Sequence, residues 1–264
     1  MNARVIVTGA AGGIGAATAT ALRARGCAVA GLDLSSDDPE VLACDVTDQQ
    51  SVDSAVAQAL VRLGGLDVLI NCAGIGLAQS AGERPGADAR AVLDVNLLGP
   101  WRVSAAALEP LRESRGRVIN VASGLAHLTV PFAPAYCMSK RGLVGYSDAL
   151  RAEHGDRVTV TTVYPGYIRT PIHDAAAERG IRLEGMVPAE SVDDAARALV
   201  RAALGPPARD LATTRRGGIG YALLRAAPRR LSDRLLRARL RRAAGEGHFD
   251  GSELAADLRE RLRA

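Results

Sequence analysis

The chain has 264 residues, 48 % hydrophobic but only 3 % aromatic, enough for one domain of good size with a core of Ala, Val, Leu and Ile. A net charge of +4 implies by itself neither nucleic acid nor a membrane surface, and no run of 18 apolar residues is present to cross a bilayer. Cys27, Cys44, Cys72 and Cys137 lack CxxC or metal-like spacing, so no metal site is expected, and they read as buried thiols in a reducing compartment, the cytoplasm.

In chain order, "RVIVTG" reads as a buried strand at 4–8, so the N-terminus looks needed for the fold and is not a signal peptide. A helix closed by Gly26 follows, then strands "AVAGLD" and "VLACDV". The next helix has Asp48 as its N-cap and Gly64 as its stop. Strand "LDVLINCAG" leads into a long helical stretch at about 86–114, then strand "GRVINVAS". A helix over 134–153, strand "RVTVTTVYPG", a helix near 190–204 and a short strand at 209–213 complete the pattern. Alternating helices and nearly all-apolar strands predict an α/β fold: a Rossmann-like doubly wound parallel sheet with helices on both faces. This domain is expected to span 1–214, with an Arg-rich helical C-terminal extension at 215–264 packed on or beside it.

"VIVTGAAGGIGAA" puts Gly9, Gly13 and Gly15 between the first strand and first helix. A chain that turns sharply while a phosphate approaches its backbone has no room for β-carbons, and the helix N-terminus offers free N–H groups and partial positive charge. Asp33 ends the second strand, where a carboxylate can accept from both hydroxyls of an adenosine ribose. It would repel a 2′-phosphate, and no Arg or Lys in the turn or directly after Asp33 offsets that, so NAD is expected over NADP.

Lys140 is the only lysine in a chain with thirty-two arginines, and it lies four residues after Tyr136. On a helix the two share one face. A tyrosine in water titrates near ~10, too high for a base at neutral pH, and a nearby ammonium favours phenolate. A compact ammonium with three donors also reaches ribose hydroxyls in a way the planar guanidinium fork does not. Asn96 lies in the helical stretch, where Asn is a poor helix former. It is open whether its amide is solvated or marks a local break that holds a water. Ser123 ends a strand and can converge with Tyr136 at the C-terminal edge of the sheet.

These pieces, "TGAAGGIG", Asp33, "CDV", "NCAG", Asn96, Ser123, "YCMSK" and "PGYIRT", cover about residues 5–170, and their order resembles the short-chain dehydrogenase/reductase family. The resemblance implies hydride transfer between a nicotinamide and a carbonyl or alcohol. It makes Tyr136 the general acid/base, with Lys140 lowering its pKa and binding the nicotinamide ribose. Ser123 would bond the substrate oxygen and Asn96 hold a relay water. The cofactor set it implies is Gly9, Gly13, Ile14, Gly15, Asp33, Asp45, Val46, Asn71, Ala73, Gly74, Tyr136, Lys140, Pro165, Gly166, Ile168 and Thr170. Within it Asp45 and Val46 would flank the adenine, and Ile168 and Thr170 the nicotinamide amide. Cys72 departs from the family's more usual second Asn in "NCAG", at a position taken as structural. Residues 171–189 are expected to form a substrate lid, and Leu125, Leu128, Val130 and Phe132 an apolar pocket. The segment around Tyr136 is similar to retinol and hydroxysteroid relatives, which favours a lipophilic alcohol or ketone. His127 and His173 are expected to face solvent.

The tail departs from the family, many of whose members end in a Gly-containing dimer contact, so the homo-oligomer the resemblance implies, dimer or tetramer, could be built differently. Between 209 and 242, eleven arginines face only Asp210 and Asp233, an excess of nine positive charges. Two readings are open: a solvated helix with Leu231 and Leu235 packed on the core, or a basic amphipathic helix making peripheral contact with an anionic membrane. A non-catalytic NAD-binding scaffold of the same fold is the alternative function, against which stands the presence of Asn96, Ser123, Tyr136 and Lys140 together.

Overall fold

A computed structural model describes residues 2–181, 189–226 and 228–263. The elements in order are β1 (Arg4–Thr8), α1 (Gly13–Arg23), β2 (Ala28–Asp33), β3 (Val41–Ala43), α2 (Gln49–Leu63), β4 (Val68–Asn71) and α3 (Ala87–Leu93). A π-helical turn (Asp94–Leu98) leads to α4 (Gly99–Ala106), α5 (Leu108–Ser114), β5 (Arg117–Val121), α6 (Pro134–His154), β6 (Thr159–Tyr164) and β7 (Tyr167–Ile168). Then come α7 (Asp174–Glu178), β8 (Ala189–Glu190), α8 (Val192–Leu204), β9 (Asp210–Ala212), α9 (Arg215–Ala226), α10 (Arg229–Gly245) and α11 (Ala256–Arg263).

Seven strands form one sheet in the order β3-β2-β1-β4-β5-β6-β9, every pair parallel. Apolar residues point to both faces of each central strand, as burial under helices on both sides requires. Ile6, Leu69 and Val118 face one layer with Val52 and Val56 of α2, Val103 of α4 and Leu150 of α6. Val5, Val7, Ile70 and Ile119 face the other, with Ala19 and Leu22 of α1 and Leu199 of α8. Each fully buried Val, Leu or Ile contributes roughly 1.5–3 kcal/mol. Strand order reverses between β1 and β4, and the crevice at their C-terminal ends is where such sheets take ligands.

Local signals match the expected boundaries. Asp48 accepts from the N–H groups of Gln50 and Ser51 at the start of α2, and Gly64 ends it at φ +69. The helical stretch expected at 86–114 is instead interrupted. Asn96 sits in the π turn, 0 % exposed, with its amide bonded to the Ile75 backbone: Oδ1 accepts from Ile75 N–H at 2.8 Å and Nδ2 donates to Ile75 O at 2.9 Å. The solvated reading of Asn96 is thereby corrected, and the break is real.

Beyond residue 214 the described chain is helical. Leu240, Ala243 and Ala244 of α10 are buried with Phe249 and Ala255 in a third apolar cluster, against Leu125, Phe132, Ala176 and Ile181. The arginines of α10 at 230, 234, 237, 239, 241 and 242 lie on its exposed side. The side chains of Leu231 and Leu235 lie outside the described residues, as does the lid segment 182–188. No helix among the described residues is long and apolar enough to cross a membrane.

Candidate active site

A cleft of about 370 Å³ opens along the C-terminal edge of the sheet, within the range of small-molecule sites. One end is the turn between β1 and α1. A Cβ on Gly9 would sit 2.9 Å from the Ala73 backbone, and one on Gly15 only 2.0 Å from Gly9 O, so both glycines are required by packing of chain on chain. Gly12 and Gly13 differ. A Cβ on Gly12 meets nothing within 4 Å, and Gly13 has only the Thr170 methyl, at 3.6 Å, so both border the open cleft. Helix α1 starts there with no side-chain cap and no acidic residue in its first turn. Unpaired N–H groups and the positive end of the helix dipole therefore remain for an anion.

Asp33 ends β2 on the same wall. Its carboxylate accepts from Ala11 N–H and from Leu34 N–H, each at 2.8 Å, which aims it across the glycine turn and leaves acceptor capacity for hydroxyls. The glycine cradle, the bare helix end and this carboxylate fit the pyrophosphate and adenosine ribose of a dinucleotide. Leu34, 69 % exposed, follows Asp33 in the lining and offers no positive charge. Val46 also lines the cleft, as does Asp45, whose carboxylate is bonded by the N–H and hydroxyl of Thr47; these bonds hold it below the usual carboxylate range.

Past the sheet edge stand Ser123, Tyr136 and Lys140. Ser123 follows β5 and caps a short turn through Leu125 N–H. Pro134 opens α6, bringing Tyr136 into its first turn with Lys140 one turn later. The Ser123 hydroxyl beside the phenol pulls its pKa down, but burial outweighs that and pushes Tyr136 up to about 12. Lys140 is 4 % exposed, and its Nζ donates to Val121 O at 2.9 Å and stands 5.7 Å from the Tyr136 ring centroid. Burial pushes Lys140 down to about 8. The expected acidified phenol is thus absent from the chain alone. Desolvation disfavours charge on both groups, and a positive charge brought into the cleft would favour the phenolate.

Of the other expected residues, Ala73, Gly74, Pro165, Gly166, Ile168, Thr170 and Ile14 line the cleft. Two do not. Asn71, expected beside the cofactor, is 2 % exposed and turns its amide inward, donating to Ser104 Oγ at 2.9 Å and Asn120 Oδ1 at 2.8 Å. Asn96 spends its amide on Ile75, behind Gly74, where a Cβ would lie 3.2 Å from its Oδ1 and 3.5 Å from Lys140 Nζ. Its side chain supports the wall next to Lys140 and does not face the cleft.

The far end of the cleft is apolar, with Leu125, Val130, Phe132, Ile172 and Ile181 in its walls; Leu128 is buried but outside the lining. His173 lines it too, its ring stacked 4.6 Å from Tyr167, which corrects the solvent-facing expectation. His127 likewise turns inward, with its ring 4.7 Å from Tyr164 and 5.6 Å from Tyr221. Sequence reasoning missed Tyr167 and Ile172; the signal for them was their position, Tyr167 inside "PGYIRT" and Ile172 two residues after it.

The family profile described as short chain dehydrogenase matches residues 3–180. A D-threitol dehydrogenase of Mycolicibacterium smegmatis is 35 % identical over 201 residues, covering 69 % of this chain and 77 % of the relative. Human retinol dehydrogenase 5 is 38 % identical over 190 residues, 65 % of this chain and 58 % of that protein. Among solved structures, a short-chain dehydrogenase from Streptomyces avermitilis superposes with TM-score 0.71 at 26 % identity, covering 84 % of this chain and 92 % of that one.

Proposed function

We propose, from the premise that this chain belongs to the short-chain dehydrogenase family, that it moves hydride between NAD and a lipophilic secondary alcohol or its ketone. Membership makes it an oxidoreductase of CH–OH groups that uses a nicotinamide dinucleotide. The finer reading is supported above all by one juxtaposition: Tyr136, with Ser123 beside its phenol and Lys140 a turn away, shares its cleft with the bare N-terminus of α1.

The residues from Gly9 to Gly15 would hold the pyrophosphate and Asp33 the adenosine ribose, with Leu34 giving a 2′-phosphate no counter-charge. Two of the three Lys140 donors remain beside Val121 O for the second ribose. When bound, the nicotinamide would supply the hydride acceptor and a positive charge near the phenol in its oxidised form, and the hydride donor, without that ring charge, in its reduced form. Ser123 then orients the substrate oxygen, and Tyr136 takes its proton in oxidation or returns one in reduction, help typically worth ~10²–10⁴ in rate. The apolar far end favours a hydrocarbon body on the substrate, in keeping with the retinol-type relative.

Tyr136→Phe is expected to lower turnover at least about 10³-fold, with NADH affinity within threefold of wild type. Oxidation of an alcohol panel is followed by NADH absorbance and binding by NADH fluorescence. Retained turnover in the variant refutes the role. A wild-type chain that binds NADH but turns over no alcohol or ketone supports the non-catalytic scaffold instead.

Ile219 and Leu223, one turn apart on α9 and 66 % and 65 % exposed, favour a second reading for the tail surface: together with the exposed arginines of α10 they suit an anionic bilayer. Co-sedimentation with phosphatidylglycerol vesicles should fall severalfold in Ile219→Asp/Leu223→Asp; equal partitioning of both proteins refutes it.

A further inference from the structure

The substrate end of the cleft is backed by chain that the family profile does not match. Phe132, in the cleft wall four residues before Tyr136, has φ +61, a left-handed conformation rare for a bulky residue and sustained only where surroundings over-determine it. Two contacts do so. Its carbonyl accepts Gln79 N–H at 2.9 Å, and its ring meets the Phe249 ring edge-on, with centroids 5.9 Å apart and planes at 65°. Phe249 is 1 % exposed and is backed by Leu240 and Ala244 of α10. Phe249 does not itself line the cleft; it bears on it through Phe132.

A second stretch of the lining is tied to the same short segment. Ser252 Oγ donates to Arg179 O at 2.8 Å, and Gly180, at φ +73, comes so near that an added Cβ would lie 3.0 Å from Ser252 Cβ. Arg179 reaches across to donate to Ala78 O at 2.8 Å and pairs with Asp88 at 2.9 Å. Ala78 and Ile181 both face the cleft. Residues 249–252 therefore fasten two walls of the apolar end at once.

We propose that the Phe249–Ser252 segment is a specificity-determining support: it fixes Phe132 and Ile181 in the lining and so preforms an apolar slot for ligands with a hydrocarbon chain or fused-ring body, with Phe249 as its positioning residue. This rests on the hydride-transfer reading only for which end of the cleft takes substrate. The slot is built before ligand arrives, so selectivity for apolar ligands belongs to the tail as much as to the walls.

The test is binding of the uncharged apolar fluorophore N-phenyl-1-naphthylamine to the full chain, with NADH affinity and thermal unfolding in parallel. Phe249→Ala should weaken the fluorophore about tenfold and leave NADH affinity within twofold; Phe249→Leu should restore most of the loss. Ser252→Ala, a milder change, should weaken the fluorophore two- to threefold. Val130→Trp, which fills the slot from the cleft side, should abolish it. Fluorophore and NADH affinities that fall together in Phe249→Ala, or fluorophore affinity unchanged in both tail variants, overturn the proposal. Fluorophore binding needs no turnover, so these outcomes are separate from an active Tyr136→Phe variant, which would sink the catalytic reading alone.

Discussion

Replacing Lys140 by Met should make the cofactor-free protein more stable while destroying its activity. Burial lowers the Lys140 pKa from 10.5 to about 8. At ~1.4 kcal/mol per pH unit, keeping that ammonium charged near neutrality costs the fold about 3 kcal/mol. Met is close in size and carries no charge, so the cost disappears. Against it stands the lost bond to Val121 O, a charge-assisted one worth roughly 1.5–3 kcal/mol. The balance is a gain of up to about 1–2 kcal/mol, a Tm rise of some ~2–6 °C for a chain of this size. The sign of the pH dependence follows. Between pH 8 and 10.5 the unfolded chain keeps the proton that the folded chain has shed, so wild-type stability rises with pH across that window. The advantage of Lys140→Met should therefore be largest below pH 8 and turn into a deficit before about 10.5, where only the lost bond to Val121 O remains. Calorimetry on both proteins at several pH values measures it, with kcat/KM for alcohol oxidation expected to drop at least about 10²-fold. A variant less stable than wild type at neutral pH, or an unchanged difference across the window, refutes this account of the ammonium.

Ser123→Ala removes the hydroxyl that pulls the Tyr136 phenol down, so the rise of kcat/KM for oxidation with pH should move to higher pH; an unmoved midpoint means that Ser123 does not act on the phenol. The glycines of the first turn should separate by role. Gly12→Val projects into open cleft and should weaken NADH binding at least about tenfold with little change in Tm, whereas Gly15→Ala drives a methyl into Gly9 O and should cost ~3 kcal/mol or more. Equal Tm losses in the two variants contradict that division.

The parallel sheet was legible because its strands are apolar on both faces and a helix such as α2 carries its own cap and stop, Asp48 and Gly64. Tyr136 and Lys140 were legible because a four-residue spacing on a helix is geometry in itself. What could not be read depends on distant partners. The break at Asn96 follows from its amide bonding Ile75, 21 residues away. Asn71 turns inward because Ser104 and Asn120 await it there, on elements the local pattern cannot align. The Arg-rich tail announced its charge but not its inner face, since Phe249 makes sense only against Phe132, more than a hundred residues earlier. The low Lys140 pKa needed burial, which composition does not supply.

Glu190 on β8 accepts at once from Gly166 N–H, at 2.7 Å, and from the hydroxyls of Thr213 and Thr214 at the entrance to α9. One carboxylate thus knots the turn after β6 to the point where the tail departs. A truncation that reached back past Thr213 would therefore do more than remove the helices behind the apolar end: it would strip Glu190 of two of its three donors and leave that carboxylate stranded beside the Pro165–Gly166 corner.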